Sequence, residues 1–174
     1  MFRAGQYNEA AMKFDRSVSL APNSTASRFN LGRSLLHANE LTKALDCFQE
    51  LQNREKSARG AAYIAYCLSL QAKMDEAAAG YVKALEYSTT SPEVHNNLAV
   101  AYDFARKTGM NQSEQALAAK NHLRIAEALL PDSPTLAYNR LRLELNLAEN
   151  IGTIITAETA LLAESLARTC PDRL

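Results

Sequence analysis

The alternation of Val, Ile and Thr with polar residues that marks a strand is nearly absent from this chain, and apolar positions fall at helical spacing instead. Turn-prone residues at Asn39-Glu40 and Lys73 interrupt the pattern. Longer breaks stand at Ala21-Pro22-Asn23-Ser24, Thr89-Thr90-Ser91-Pro92 and Pro131-Asp132-Ser133-Pro134. The pattern predicts one helix at about 6–20 and helix pairs at about 25–53, 58–87, 92–129 and 134–169. Ser91 and Ser133 each precede a proline, an N-cap followed by proline at the first helical position, so helices are expected to start at Pro92 and Pro134. Asn111-x-x-Glu114 reads as a capping box that opens another. The expected fold class is all-α.

The pattern also repeats with a period of about 34 residues. Ala10, Ala44, Ala77 and Ala119 each stand four residues before a large side chain, respectively Phe14, Phe48, Tyr81 and Leu123. A second register runs Leu31-Gly32-x2-Leu35, Ile64-Ala65-x2-Leu68, Leu98-Ala99-x2-Tyr102 and, more loosely, Leu141-Arg142-x2-Leu145. A small residue in the first helix of a pair lets the second approach, and the large residue four positions after the alanine fills the space beside it.

This pattern resembles the tetratricopeptide repeat, whose signature is W-x2-L-G-x2-Y, then A-x3-F, then P. The match is strongest from Asn30 to Phe48 and in Gly5-x-Tyr7-x-x-Ala10-x3-Phe14, with Pro22 at the closing proline. Trp is absent, and Arg142 occupies a place where the repeat carries a small residue. The resemblance implies an α-α superhelix, a right-handed solenoid of antiparallel hairpins with about four and a half units in a single domain spanning 1–174. It divides the chain into a lone second helix at 6–20, units at 25–57, 58–91 and 92–133, and a divergent terminal unit or cap at 134–174. On this reading the chain is a fragment of a larger protein, or its first unit is eroded. Tyr7, Phe14 and Val18 of the lone helix are then expected to leave apolar surface that self-associates, swaps helices or frays. The fourth unit carries about eight extra residues at 106–113, with Gly109 at the turn. In the last segment Ile154, Ile155, Leu161, Leu162 and Leu166 recur at helical spacing, as a closing cap would.

Composition narrows the function. With 174 residues and 47% apolar content the chain can bury a real core. Its 19 basic residues are balanced by 19 acidic ones, which removes the field that nucleic-acid or anionic-membrane binding relies on. No apolar run approaches the length of a membrane span, and the N-terminus lacks a signal-peptide layout. Cys47, Cys67 and Cys170 form no C-x-x-C pair and have no histidine at metal spacing, so buried or half-buried free thiols are expected. An odd free cysteine favours a reducing compartment such as the cytoplasm for this segment. His37, His95 and His122 lie on separate predicted helices and are read as surface or packing residues. No local motif signals catalysis, a nucleotide or a metal, so the chain is read as a non-enzyme without cofactors.

What remains is recognition of a protein or peptide. The resemblance implies that the first helices line a concave channel able to grip an extended peptide or a partner helix. Counting along it, the channel candidates are Phe29, Asn30, Arg33 and His37, then Arg59, Tyr63 and Tyr66, then Glu93, Asn96, Asn97, Val100 and Asp103, then Asn139, Arg140 and Leu143. The peptide-binding set chosen from these is Phe29, Asn30, Arg33, Tyr63, Tyr66, Asn96, Asn97, Asn139 and Arg140. Asparagine amides can fix a peptide backbone, arginines can clamp a carboxylate, and the aromatic rings offer flat apolar contact. The five-residue Lys/Asn/Asn/Lys/Arg clamp of chaperone-binding members maps onto Ala62, Tyr66, Asn97, Leu136 and Arg140 in the last three units, or onto Phe29, Arg33, Tyr63, Glu93 and Asn97 in the preceding three, and matches at two places in the better register, so a chaperone-tail receptor is disfavoured. The alternatives are a spacer or oligomerisation segment appended to a signalling enzyme such as a bacterial protein kinase, or a docking arm of a transferase.

Overall fold

The computed structural model describes residues 2–151, 159–161 and 163–164. The helices run α1 Phe2–Leu20, α2 Thr25–His37, α3 Leu41–Arg54, α4 Ala58–Leu70, α5 Met74–Tyr87, α6 Pro92–Phe104, α7 Gln112–Leu129 and α8 Pro134–Ile151. They fall into two compact units, Met1–Thr89 and Thr90–Leu174. In the first unit each helix packs on the next as an antiparallel hairpin, α1 on α2 through to α4 on α5; in the second, α6 packs on α7, α7 on α8, and α8 also reaches α6. Of the expected closing cap, Ile154, Ile155, Leu162 and Leu166 lie outside the described residues.

Local chemistry explains the boundaries. Ser24, Ser57 and Ser91 cap α2, α4 and α6, accepting from Ser27 N at 3.2 Å, Gly60 N at 3.1 Å and Val94 N at 3.3 Å. Pro92 opens α6, and α7 begins with the expected capping box, Asn111 and Glu114 each receiving the other's amide at 2.9 Å. α1 begins at Phe2, ahead of the predicted start near residue 6.

α2 and α4 end in the same turn. Glu40 N reaches Leu35 O at 2.9 Å and Asn39 N reaches Leu36 O at 3.1 Å; Lys73 N and Ala72 N repeat the arrangement with Leu68 O and Ser69 O, both at 3.0 Å. This motif needs a left-handed residue after the cap, supplied by Asn39 (φ 64°) in one turn and Ala72 (φ 60°) in the other. Asparagine tolerates that conformation, whereas the alanine Cβ is crowded there. Ala72→Gly is therefore expected to stabilise the chain by about 1 kcal/mol, read from the urea midpoint at unchanged slope. No gain on this substitution would contradict the assigned turn.

From Ala44 onward the alanine register is the buried seam, whereas its first pair, Ala10 and Phe14, is half-buried. Ala44, Ala77 and Ala119 are fully buried, as are Phe48, Tyr81 and Leu123 four positions on. A Cβ on Gly32 would stand 2.8 Å from Phe48 Cε1 and Cζ, so the missing side chain in α2 is what admits the ring from α3. In the next pair the close approach is Gly80 of α5 against Ala65 of α4, where an added Cβ would meet the Ala65 methyl at 2.9 Å. Cys67 joins Leu36, Ala44 and Phe48 in the core, and Cys47 is half-buried. Burial pushes both thiols up, Cys47 to about 11 and Cys67 to about 12, so neither forms thiolate readily near neutral pH. Cys170 lies outside the described residues.

Candidate functional site

In the first unit α2 and α4 flank a groove of about 680 Å³, closed below by the end of α3. From α2 come Thr25, Ala26, Phe29, Asn30 and Arg33; Leu51 and Glu55 come from α3 and its cap, and Ser57, Ala58 and Arg59 from the start of α4. Phe29 forms the wall. Its ring meets Phe48 at 5.9 Å and Tyr63 edge-on at 5.1 Å, while Phe48 and Tyr63 lie 4.9 Å apart. Because Phe48 is pinned by Gly32, this triad gives Phe29 a rigid backing. Two guanidiniums stand over the Phe29 ring, Arg33 with Cζ at 5.9 Å from the centroid and Arg59 at 5.3 Å. Asn30 is half-buried in the groove lining. Tyr66, one turn after Tyr63, is 38% exposed and lies outside that lining.

At the rim of α2, Arg28 is buried, donates to Glu50 through Nη1 and to Pro22 O through Nη2 at 3.0 Å, and so ties the loop before α2 to α3. His37 is exposed and stacks on Tyr7 with centroids 4.7 Å apart.

In the second unit Asn96 and Asn139 are both buried, and Asn139 Nδ2 donates to Asn96 Oδ1 at 2.7 Å. Asn96 Nδ2 in turn donates to Asn97 Oδ1 at 3.1 Å, and Asn97 is half-buried. The amides thus form a relay from α8 to α6, in which Asn139 donates to Asn96 and Asn96 donates to and holds the Asn97 side chain. Arg140 is half-buried with Nε 3.2 Å from Glu127 Oε1. Of the predicted set, the structure therefore gathers Phe29, Asn30 and Arg33 in the lining of one groove, with Tyr63 packed behind Phe29 and outside that lining, and assembles Asn96, Asn97 and Asn139 into one network.

A second depression of about 430 Å³ lies among Tyr102, Asp103, Arg106, Gln115, Leu143 and Asn146. Asp103 accepts from Asn146 Nδ2, the shorter contact being 3.1 Å, and faces Arg142 Nη2 at 3.5 Å. Burial pushes its carboxyl above the usual range, opposed by Arg142, the Asn146 bond and Arg106. The segment between α6 and α7 is drawn together by Thr108, whose Oγ1 accepts from Met110 N at 3.3 Å and from the Gln115 amide, with Gly109 at φ 80° making the turn.

One pairing was not visible in the linear pattern. His95 and His122, on α6 and α7, face each other with Nδ1 atoms 2.9 Å apart and rings stacked at 5.2 Å, and Tyr102 lies parallel at 6.0 Å. Such a bond needs one nitrogen to donate and the other to accept, so two imidazolium rings cannot sustain it. Burial, then the neighbouring His95, lowers the His122 pKa from 6.5. Above about pH 6.5 the ring is neutral in both folded and unfolded chains; below it the unfolded chain takes a proton that the folded chain refuses. Stability from this group is therefore complete above about pH 6.5 and is lost as pH falls toward the depressed value. Urea titrations between about pH 5.5 and 8 should show that slope, and His122→Phe should reduce it; an equal slope in the variant would count against the pair.

No group of three or more His, Cys, Asp or Glu side chains is gathered among the described residues, and no described helix is long and apolar enough to cross a membrane. No curated relative matches the sequence. A sequence profile of the tetratricopeptide repeat matches residues 1–65. Among solved structures, MamA 41-end from Desulfovibrio magneticus RS-1 is 15% identical, with a TM-score of 0.77 over 97% of this chain and 90% of that one. YrrB, described as a tetratricopeptide repeat protein with an unusual peptide-binding site, is 11% identical, with a TM-score of 0.68 over 97% of this chain and 80% of that one. A chain of the APC/C hetero-tetramer Cut9–Hcn1 is 17% identical with a TM-score of 0.70, this chain spanning 30% of its length. The buried alanine register, the profile match over residues 1–65 and the shared fold agree: the chain has the fold of tetratricopeptide repeat proteins, and its first 65 residues match the sequence profile of that repeat.

Proposed function

We propose that this chain is a non-catalytic interaction module that binds an extended peptide in the groove between α2 and α4. The observation that carries the reading is the groove itself: a rigid aromatic wall at Phe29, backed by Tyr63, the Asn30 amide beside it, and two exposed arginines, all on helix faces held by the repeat core. Peptide recognition by YrrB and the protein assembly of Cut9 with Hcn1 support the class of ligand. In the second unit Asn97 and Arg140 would contact a ligand, with Asn96 and Asn139 orienting the Asn97 amide. Tyr66 extends the aromatic surface of α4.

Selection from a displayed random peptide library, followed by titration of a selected peptide, tests the reading. Asn30→Ala and Tyr63→Ala should each weaken binding about tenfold, with the helical circular dichroism retained. Selected peptides that bind both variants as tightly as the parent would place the interaction elsewhere.

A second reading has its own support. Met12 and Leu20 of α1 are 74% and 80% exposed, whereas Tyr7, Phe14 and Val18, expected to be the uncovered residues, are half-buried. A second copy of the chain docking on α1 would cover Met12 and Leu20. Light scattering that shows a mass rising with concentration, and a constant monomer mass in Met12→Gln with Leu20→Gln, would establish it.

A further inference from the structure

We infer that the groove of the first unit selects peptides carrying two carboxylate side chains, one for each guanidinium over Phe29. The inference rests on the peptide-binding reading above and adds the chemistry of the ligand. Arg33 and Arg59 come from different helices, yet both guanidiniums lie against one ring, 5.9 Å and 5.3 Å from its centroid. They are thus no farther apart than those two distances combined. Alternate residues of an extended peptide, about 7 Å apart on one face, can reach both.

The charge around them is uncompensated. Arg28 is paired with Glu50, and Arg140 and Arg142 face Glu127 and Asp103, but neither Arg33 nor Arg59 has an ion-pair partner among the described residues. Glu55 is the one carboxylate in the groove lining, and it forms no ion pair with either. Both arginines are exposed, so their donors are accessible to a ligand. Contact with the aromatic face restrains each planar fork while leaving its N–H edge available, an arrangement that suits bidentate carboxylate binding. The ring is fixed in turn by Tyr63 and by Phe48, which Gly32 admits. In the register one unit earlier the five-residue clamp has places at Phe29, Arg33 and Tyr63, none of them carrying the residue the clamp requires, and in neither register does it have a place at Arg59.

The Arg33–Phe29–Arg59 stack is accordingly a bipartite acidic-peptide anchor. Fluorescence anisotropy of the full chain with two labelled probes tests it, Ser-Glu-Ala-Glu-Ser and its isostere Ser-Gln-Ala-Gln-Ser. The glutamate probe should bind at least tenfold more tightly, and the preference should shrink with added salt. Arg33→Gln and Arg59→Gln should each weaken that probe, their combination should remove the preference, and Glu55→Gln should strengthen binding. Arg54→Gln, which deletes the same charge from a residue bonded to Asn23 outside the groove lining, should change affinity less than twofold. Equal binding of the two probes, no binding of the glutamate probe, or a loss in Arg54→Gln equal to that in Arg33→Gln would overturn the inference. Library selection separates the two levels: neutral peptides that bind through Asn30 and Tyr63 would retain the groove as a peptide site while refuting its acidic preference.

Discussion

Phe48→Ala is expected to lower the free energy of unfolding by about 3–5 kcal/mol, the range for removing a fully buried aromatic side chain. Phe48 is 0% exposed and is the point at which the repeat core and the groove meet. Its ring occupies the space left by Gly32, which has no side chain to relax into the void, and α2 is anchored by the buried Arg28. The cavity should therefore persist, placing the loss toward the upper end of that range. The same deletion removes the backing of Phe29, so peptide affinity should fall even where the chain remains folded. Urea unfolding with an unchanged slope, paired with a peptide titration at low temperature, reads both effects; a stability loss below about 1 kcal/mol would refute the assigned packing.

The second large effect comes from adding volume. Ala77→Leu should cost about 1–3 kcal/mol, because Ala77 is fully buried on α5, which packs on α4, and three more carbons must be fitted into a close-packed contact. Ala79, two residues on and exposed, supplies the control: Ala79→Leu should stay within about 0.5 kcal/mol of the parent. Equal costs at the two sites would mean that the alanine register does not mark the helix contact. The comparison is strict, since the substitutions share chemistry, helix and neighbourhood, and differ only in the face they occupy.

Most of the fold was legible because its determinants are local or periodic. Ser91-Pro92 and Asn111-x-x-Glu114 contain the groups that cap their own helices, and the alanine register needs only one side of each contact to be small. The turn after α4 was less legible, since alanine carries no sign of the left-handed conformation that Ala72 adopts; only its equivalence to Asn39 in the preceding unit hints at it. Arg142 departs from the small residue of the repeat, and its long side chain reaches the Asp103 carboxylate and the face of Phe104 at 4.9 Å.

The candidate site divides along the same line. Phe29, Asn30, Arg33 and Tyr63 follow from helical spacing within the repeat, and the structure places the first three in the groove lining and Tyr63 behind Phe29. Spacing could not show that Asn96 and Asn139, distant in sequence, bond to each other, because helix position does not reveal whether an amide faces a ligand or another helix. The histidine pair was hidden for the same reason. A signal did exist: His95 stands three residues before Leu98 and His122 three residues after Ala119, both fully buried, which places the two rings near the seam between α6 and α7. Arg59 was recognised as a channel residue, but its place over Phe29 depends on the α2–α4 geometry, which no linear pattern contains.

The central claim is that the faces of α2 and α4 around Phe29 form a ligand groove, and amide chemical-shift mapping with a library-selected peptide tests it most directly. The account predicts saturable shifts concentrated at Phe29, Asn30, Arg33, Arg59 and Tyr63, with little change along α1 and α5. Shifts confined to α1 and α5, with α2 and α4 unmoved, would contradict it.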